Sequence, residues 1–295
     1  MGHFLTHFDV ERSEELCNKL VEQGFEVSQP PHTLFQAKRH GVCLTLYSSG
    51  KLMVQGKEMD EFIRFFLEPE VLQTFTYGYE QFDPAPRIGV DESGKGDFFG
   101  PLVVAGVFAE GEKIRELARI GVKDSKKLRD VTIAKIAEKI KERYAHCIVR
   151  INPIRYNELY ERFGNLNLLL GWGHATVIET LVDKTGCTNI LIDKFAAEYV
   201  VENALKRKKK KVTLVQRTHG EQDLVVAAAS ILARASFVEA ISQLEKKYKT
   251  KFPKGANHLV LAAGKKLISD HGKGILANVG KLHFKTTGEI ISASE

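Results

Sequence analysis

The sequence predicts an α/β protein in two parts: a small α+β unit, then a larger domain whose mixed sheet is flanked by helices. Three observations carry that expectation. The chain has 295 residues, which at about 100 to 200 residues per domain suits two domains with real cores. In its second part, β-rich runs alternate with helical periods. The segment from Gln81 to Arg87, with Pro84 and Pro86, separates that part from what precedes it. The expected organisation is residues 1–80, a linker at 81–86 and a second domain over 87–295.

Each element has its own signal. From Val10 to Val21 the apolar positions Val10, Leu16, Leu20 and Val21 fall at helical spacing among acids, until Gly24 and Pro30-Pro31 stop the run. LFQAKRHGVCLTLYSSGKLMVQG then reads as an antiparallel meander broken at His40-Gly41 and at Ser48-Ser49-Gly50. Helical pattern returns from Glu58 to Leu67. After the linker, Arg87 to Val90 and Leu102 to Phe108 read as two strands joined by a glycine-rich turn, a hairpin expected at a sheet edge. Helices are predicted over Lys113 to Ile120 and Thr132 to Glu142. A strand follows at Cys147 to Pro153, then a long buried helix at Asn165 to Val182. NILID (Asn189 to Asp193) and KVTLVQR (Lys211 to Arg217) give two further strands, and a helix is predicted from Glu221 to about Tyr248.

Composition narrows the function classes. Hydrophobic residues at 43% and charged residues at 27% exclude wholesale disorder. No run approaches the ~20 consecutive apolar residues of a bilayer span, and MGHFLTHFDVERSEEL lacks the basic and apolar regions of a secretory signal, so no membrane association and a cytoplasmic location are expected. Cys17, Cys43, Cys147 and Cys187 are scattered without a C-x-x-C pair, which points to reduced packing residues and away from disulfides or structural zinc. The net charge of +6 and a pI near 9.0 favour a polyanionic partner. Lys206 to Lys211 (KRKKKK) is the densest basic run, read either as a solvated surface or as part of that partner's footprint.

Open α/β sheets bind ligands at the carboxyl ends of strands, so acids that terminate predicted strands are the first candidates. Asp91 and Glu92 follow the apolar Ile88 and Val90; Asp193 closes NILID. A buried ionised acid must be paired, hydrogen-bonded or metal-bound. The third place is the predicted helix at Glu221. At 100° per residue Glu221 projects onto the apolar face of Leu224, Ala228, Ile231, Leu232 and Ala235, whereas Asp223 turns to the opposite side with Ser230 and Arg234 as a solvent acid. Asp91, Glu92, Asp193 and Glu221 together cannot share a pocket without cations, and an all-oxygen set points to Mg²⁺ or Mn²⁺. Gly89 to Lys95 matches the spacing G-x-x-x-x-G-K, but Gly96 replaces the required Ser/Thr and two acids stand where phosphate would bind, so a nucleotide-binding loop is excluded. What remains is the tight turn Ser93-Gly94-Lys95-Gly96, whose backbone suits either a plain hairpin or a nucleic-acid phosphate.

DESGKGDFFGPLVVAG (Asp91 to Gly106), KDSKKL (Lys123 to Leu128), LIDKF (Leu191 to Phe195), GEQDLVVAAASILAR (Gly220 to Arg234) and FPKGA (Phe252 to Ala256) resemble bacterial ribonuclease HIII, one of the type 2 ribonucleases H. The likeness runs through most of residues 87–295, and LYSSGKLMVQG (Leu46 to Gly56) is similar to that family's appended domain. Lys95 between the turn glycines and Glu221 as fourth acid favour HIII over its sister group HII, where an Arg and an Asp are usual. The resemblance implies an RNase H-like fold preceded by a TATA-binding-protein-like domain that grips substrate. It also implies endonucleolytic cleavage of the RNA strand of RNA/DNA hybrids with two Mg²⁺ or Mn²⁺ ions, leaving 3′-hydroxyl and 5′-phosphate ends. Asp91, Glu92, Asp193 and Glu221 would be the catalytic metal ligands, with Asp223 the competitor for the fourth place. Ser93, Gly94, Lys95, Gly96, Lys126 and Lys127 would contact phosphates or 2′-hydroxyls. His219, beside Glu221, reads either as an incidental loop histidine or as an aid to proton or product traffic, and His258 and His271 carry less signal. No obligate protein partner is implied, and a monomer is expected. A structure-specific DNA nuclease on the same fold and a non-catalytic nucleic-acid-binding module are the alternatives.

Overall fold

The computed structural model describes residues 3–74, 77, 83–193, 199–208, 211–217 and 220–292. The side chains of Lys127, Tyr199, Arg217 and Glu221 lie outside that description, as do Gln81, Phe82, Lys194, Phe195, Lys209, Lys210 and His219. The chain divides into two compact units, Met1–Asp83 and Pro84–Glu295.

In the first unit β1 (His3–His7) leads through a 3-10 turn to α1 (Ser13–Glu22), followed by β2 (Glu26–Ser28), β3 (Thr33–Arg39), β4 (Val42–Tyr47) and β5 (Lys51–Gln55). α2 (Met59–Phe62) closes the unit and runs on in wider π-helical turns over Ile63–Leu72. The strands form one antiparallel sheet in the order β1-β5-β4-β3-β2. Alternate residues Leu44, Leu46, Leu52 and Val54 bury one face of this sheet in a core with Leu16, Leu20, Ile63 and Leu67. β1 has no sequence signal of its own, because HFLTH is short and polar; its pairing with β5 makes it a strand.

The second unit begins with β6 (Arg87–Ser93) and β7 (Leu102–Ala109), then α3 (Glu112–Arg119), α4 (Asp130–Arg143) and β8 (His146–Ile151). Two helices, α5 (Pro153–Phe163) and α6 (Leu166–Thr185), precede β9 (Asn189–Asp193), α7 (Tyr199–Arg207) and β10 (Thr213–Arg217). A 3-10 turn at Gly220–Gln222 leads into α8 (Leu224–Tyr248), and α9 (His258–His271), α10 (Ile275–Val279) and α11 (Lys285–Ser292) complete the unit. The sheet order is β10-β9-β6-β7-β8, with β9 parallel to both β6 and β10 and the β6-β7-β8 side antiparallel.

The β6/β7 hairpin is therefore central, and the expectation of an edge position is corrected. Ile88 and Val90 are both fully buried, and β9 pairs along the free side of β6. The two faces of β6 alternate. Ile88 and Val90 pack with Ala175, Val177 and Ile178 of α6. Gly89 points the other way, where an added Cβ would lie 2.5 Å from the backbone of Val225 and Val226, so only glycine lets α8 lie directly on the strand. α8 is long and apolar enough to cross a membrane by length and composition, but residues Val225 through Ala233 are buried against the sheet, the mark of a core helix.

α5 was hidden in the sequence because Pro153 reads as the end of a strand, whereas it occupies the first helical turn, where a missing N–H costs nothing. α7, α9, α10 and α11 likewise had no sequence assignment. The Lys206–Lys211 run straddles the end of α7, with Lys206 and Arg207 in its last turn beside the helix carbonyls.

Candidate active site

Asp91 and Glu92 do not end their strand, as the sequence reading had them; they lie inside β6, opposite Ala105 and Val104 of β7. On the other side the parallel β6/β9 pairing reaches Val90↔Ile192. The next residue of each strand is an acid, Asp91 on β6 and Asp193 on β9, so the two carboxylates arise side by side from neighbouring parallel strands.

Strand alternation sends Asp91 and Glu92 to opposite faces. Asp91 turns to α8 and hydrogen-bonds Ser230; its Oδ1 also accepts from the Glu92 N–H at 2.8 Å. Glu92 turns to α6, where its Oε2 lies 3.0 Å from Nε2 of the fully buried His174. Its Oε1 is 3.8 Å from the Lys95 ammonium. Asp193 Oδ1 accepts the Gly220 N–H at 3.1 Å, which brings the turn carrying Glu221 against the end of β9.

Desolvation, then the neighbouring Glu92 carboxylate and more weakly Asp193, push the Asp91 carboxyl well above the ordinary carboxylate range; the hydrogen bonds from Ser230 and the Glu92 N–H act against that rise. Negative charge is thus concentrated around Asp91, Glu92 and Asp193. A divalent cation relieves that strain, and the donors are all carboxylate oxygens, which suits Mg²⁺ or Mn²⁺. Among the described residues no three acids, histidines or cysteines form a complete metal site; the Glu221 side chain, the expected fourth donor, lies outside them.

Asp223 is not the solvent acid its helical projection suggested. The projection assumed a helix running from Glu221, but α8 starts at Leu224 and Asp223 is its N-cap. The Asp223 carboxylate accepts from the N–H groups of Val225 at 2.8 Å and Val226 at 3.3 Å. It also pairs with Arg87, at 2.9 Å from Nε and 2.8 Å from Nη2. Ser230, projected towards solvent with it, is buried.

The Ser93–Gly96 turn is built as glycine requires. Gly94 has φ of +86°, and a Cβ there would collide with the Pro101 carbonyl oxygen at 2.3 Å, whereas Gly96 is exposed with open space around it. Beyond the turn, the fully buried Lys281 ammonium donates to the carbonyls of Asp97 at 2.7 Å and Gly100 at 2.8 Å. Lys126 is exposed on a 3-10 turn held by Asp124, whose side chain accepts the Lys126 N–H at 2.9 Å. That turn is tied to α8: Ser125 and Ser230 share a 2.9 Å hydrogen bond, and Arg234 binds the Ser125 carbonyl and Asp130. His258 and His271 sit at the two ends of α9, and neither makes a hydrogen bond to Asp91, Glu92 or Asp193 among the described contacts. His174 and Ser230 were missed by the sequence reading, since a histidine and a serine inside apolar helices carry no pattern that marks an acid as neighbour.

The Ribonuclease HII family model matches residues 88–287, and a domain of unknown function, DUF3378, matches residues 5–76. A Ribonuclease HIII of Protochlamydia amoebophila (strain UWE25) is 48% identical over 98% of this chain and 96% of its own length. One from Chlamydia pneumoniae is also 48% identical, over 98% of each. Among solved structures, Bst-RNase HIII in complex with Mn²⁺ superposes with a TM-score of 0.68 at 28% identity, covering 100% of this chain and 99% of that one. Aquifex aeolicus RNase H3 gives 0.58 at 27% identity, over 96% and 100%. With its paired carboxylates on a mixed five-stranded sheet and relatives of this kind along nearly its whole length, the chain belongs to the ribonuclease HIII group of the ribonuclease HII family.

Proposed function

We propose that this chain hydrolyses the RNA strand of RNA/DNA hybrids endonucleolytically, with two Mg²⁺ or Mn²⁺ ions, leaving 3′-hydroxyl and 5′-phosphate ends, and that it acts in the cytoplasm as a monomer. Family membership makes it a metal-dependent ribonuclease H. The observation that carries the reading is the adjacent emergence of Asp91 and Asp193 from parallel strands, with the Glu92 carboxylate next in sequence and its charge, with that of Asp193, raising the Asp91 pKa.

Asp91, Glu92, Asp193 and Glu221 would hold the ions, with Asp91 shared between them. Glu221 is favoured over Asp223 as fourth ligand because Asp223 is occupied as a helix cap and as the partner of Arg87, whereas Gly220, next to Glu221, hydrogen-bonds Asp193. When bound, paired divalent ions activate a water for in-line attack and neutralise charge on the leaving 3′-oxygen. The protein's own part is positioning. Asp91 is oriented by Ser230, and the same serine braces the Lys126 turn, so phosphate contacts and metal ligands keep one register. The open backbone at Gly96 admits a phosphate close to the acids, and Lys95, Lys126 and Lys127 supply positive charge for the strand. Contacts to the 2′-hydroxyl from the Ser93–Gly96 turn distinguish RNA from DNA.

Cleavage of end-labelled RNA/DNA hybrid, RNA/RNA and DNA/DNA duplexes with Mg²⁺, Mn²⁺ or EDTA tests this reading. Metal-dependent cutting of the hybrid's RNA strand alone is expected, lost in Asp91→Asn, Asp193→Asn and Glu221→Gln and retained in Asp223→Asn. Cutting of DNA/DNA would transfer the site to a DNA nuclease. No cutting with any metal would leave a binding module.

A further inference from the structure

His174 is a fully buried polar group that the chemistry above leaves unused. It sits in the middle of α6, wholly buried, on a helix face otherwise made of Leu170, Ala175, Val177, Ile178 and Leu181. Apolar residues fill such positions by default, and a buried imidazole has to recover its lost hydration through hydrogen bonds. Its Nε2 meets Glu92 Oε2 at 3.0 Å. The geometry around Glu92 is asymmetric: Oε2 is turned into the core against α6, and Oε1 lies towards Lys95, itself about one-third exposed, at the mouth of the site.

We infer that His174 is a positioning residue for the metal site: its Nε2–H holds Glu92 Oε2, so that Oε1 alone is presented to a divalent cation. This rests on the reading of Glu92 as a metal ligand. A carboxylate at Glu92 is acceptor-only, so the hydrogen bond requires a proton on Nε2 of His174. The bond restricts the carboxylate to one rotamer and one oxygen. It makes Glu92 a one-oxygen ligand and presets the site before any ion arrives. The Lys95 ammonium lies 3.8 Å from Oε1. Glu92 is held from the core by one residue, and Asp91 from the opposite face by Ser230; the two helices that sandwich β6 each orient one carboxylate.

The measurement is calorimetric titration of Mn²⁺ into the full chain without nucleic acid, for wild type, Glu92→Gln, His174→Phe, His174→Gln and His174→Asn, with a thermal melt of each in EDTA. Partners that orient metal ligands typically contribute 10- to 100-fold in metal affinity. His174→Phe, which fills the volume without a donor, is expected to weaken Mn²⁺ binding by about 10-fold or more. His174→Gln, whose amide nitrogen reaches where Nε2 stood, retains most of the affinity; the shorter His174→Asn does not. On hybrid substrate at saturating metal, kcat falls in His174→Phe and KM stays. If Glu92→Gln weakens Mn²⁺ binding but His174→Phe and His174→Asn match wild type, His174 is only a core histidine and the inference is overturned. If Glu92→Gln itself leaves Mn²⁺ affinity unchanged, the assignment of Glu92 as a ligand fails first and takes the inference with it. Should His174→Phe not fold, the Gln and Asn pair decides alone, because they differ in reach and share polarity.

Discussion

Asp223 joins two structural roles in one carboxylate, the cap of α8 and the partner of Arg87 at the start of β6. Replacing it with Ala removes the cap, usually worth about 1 kcal/mol, and leaves a largely buried guanidinium without its carboxylate; denaturant unfolding should show a loss of about 2 to 3 kcal/mol with Mn²⁺ affinity retained. Lys281 offers a second test. Burial lowers its pKa to about 7 against the attraction of Asp97. The folded-state value lies below the unfolded 10.5, so between those limits the unfolded chain binds the extra proton and the folded state gains stability as pH rises. Relative to a Lys281→Met variant, wild-type stability should climb from pH 7.5 to 9 by up to ~1.4 kcal/mol per unit. The variant itself should be less stable throughout, since the Asp97 and Gly100 carbonyls lose a buried donor. At this scale the sequence singled out the acids from their place at predicted strand ends, which holds for Asp193, whereas Asp91 and Glu92 lie inside β6. It did not reveal His174, Ser230 or Lys281, whose significance depends on what a tertiary contact brings to them.

Among the elements, β6 and α8 decide the site. Gly89→Ala should destabilise the fold by about 1 to 3 kcal/mol, because the added methyl meets helix backbone that cannot rotate away, and it should weaken Mn²⁺ binding as Ser230 moves off Asp91. Calorimetry of unfolding and of metal binding checks both. The meander of the first unit and the β6/β7 hairpin were legible from alternation and turn residues. The position of the hairpin within the sheet was not, since a hairpin pattern specifies its internal pairing and says nothing about which strand joins its outer side. The start of α8 was misjudged for a related reason: acid-first helical periodicity extends smoothly backwards through a 3-10 turn, and only the Asp223 cap bonds mark the boundary.

At the level of the whole molecule, the first unit has a core and a five-stranded hydrogen-bonded sheet of its own. A chain beginning at Pro84 is expected to cut hybrid with near-normal kcat but to bind it more weakly, most visibly at low and moderate salt where phosphate contacts weigh most. Equal affinity of the two proteins across a salt titration would remove that role from the first unit. The α/β class was readable because strand and helix periods alternate over a long stretch. The C-terminal helices α9 to α11 were not assigned from the sequence; α10 and α11 span only five and eight residues.

The order β10-β9-β6-β7-β8 also has a consequence for biosynthesis. β6 is the first strand of its unit to leave the ribosome, and β7 covers one side at once. Its other side stays open until four helices and β8 have followed, when β9 emerges, and α8 comes later still. A nascent or prematurely terminated chain ending before Asn189 therefore exposes an unpaired apolar strand edge and lacks two of the four proposed metal ligands, Asp193 and Glu221. Such fragments are expected to be sticky as polypeptides and, on the proposed ligand set, inactive as nucleases until nearly the whole chain has been made.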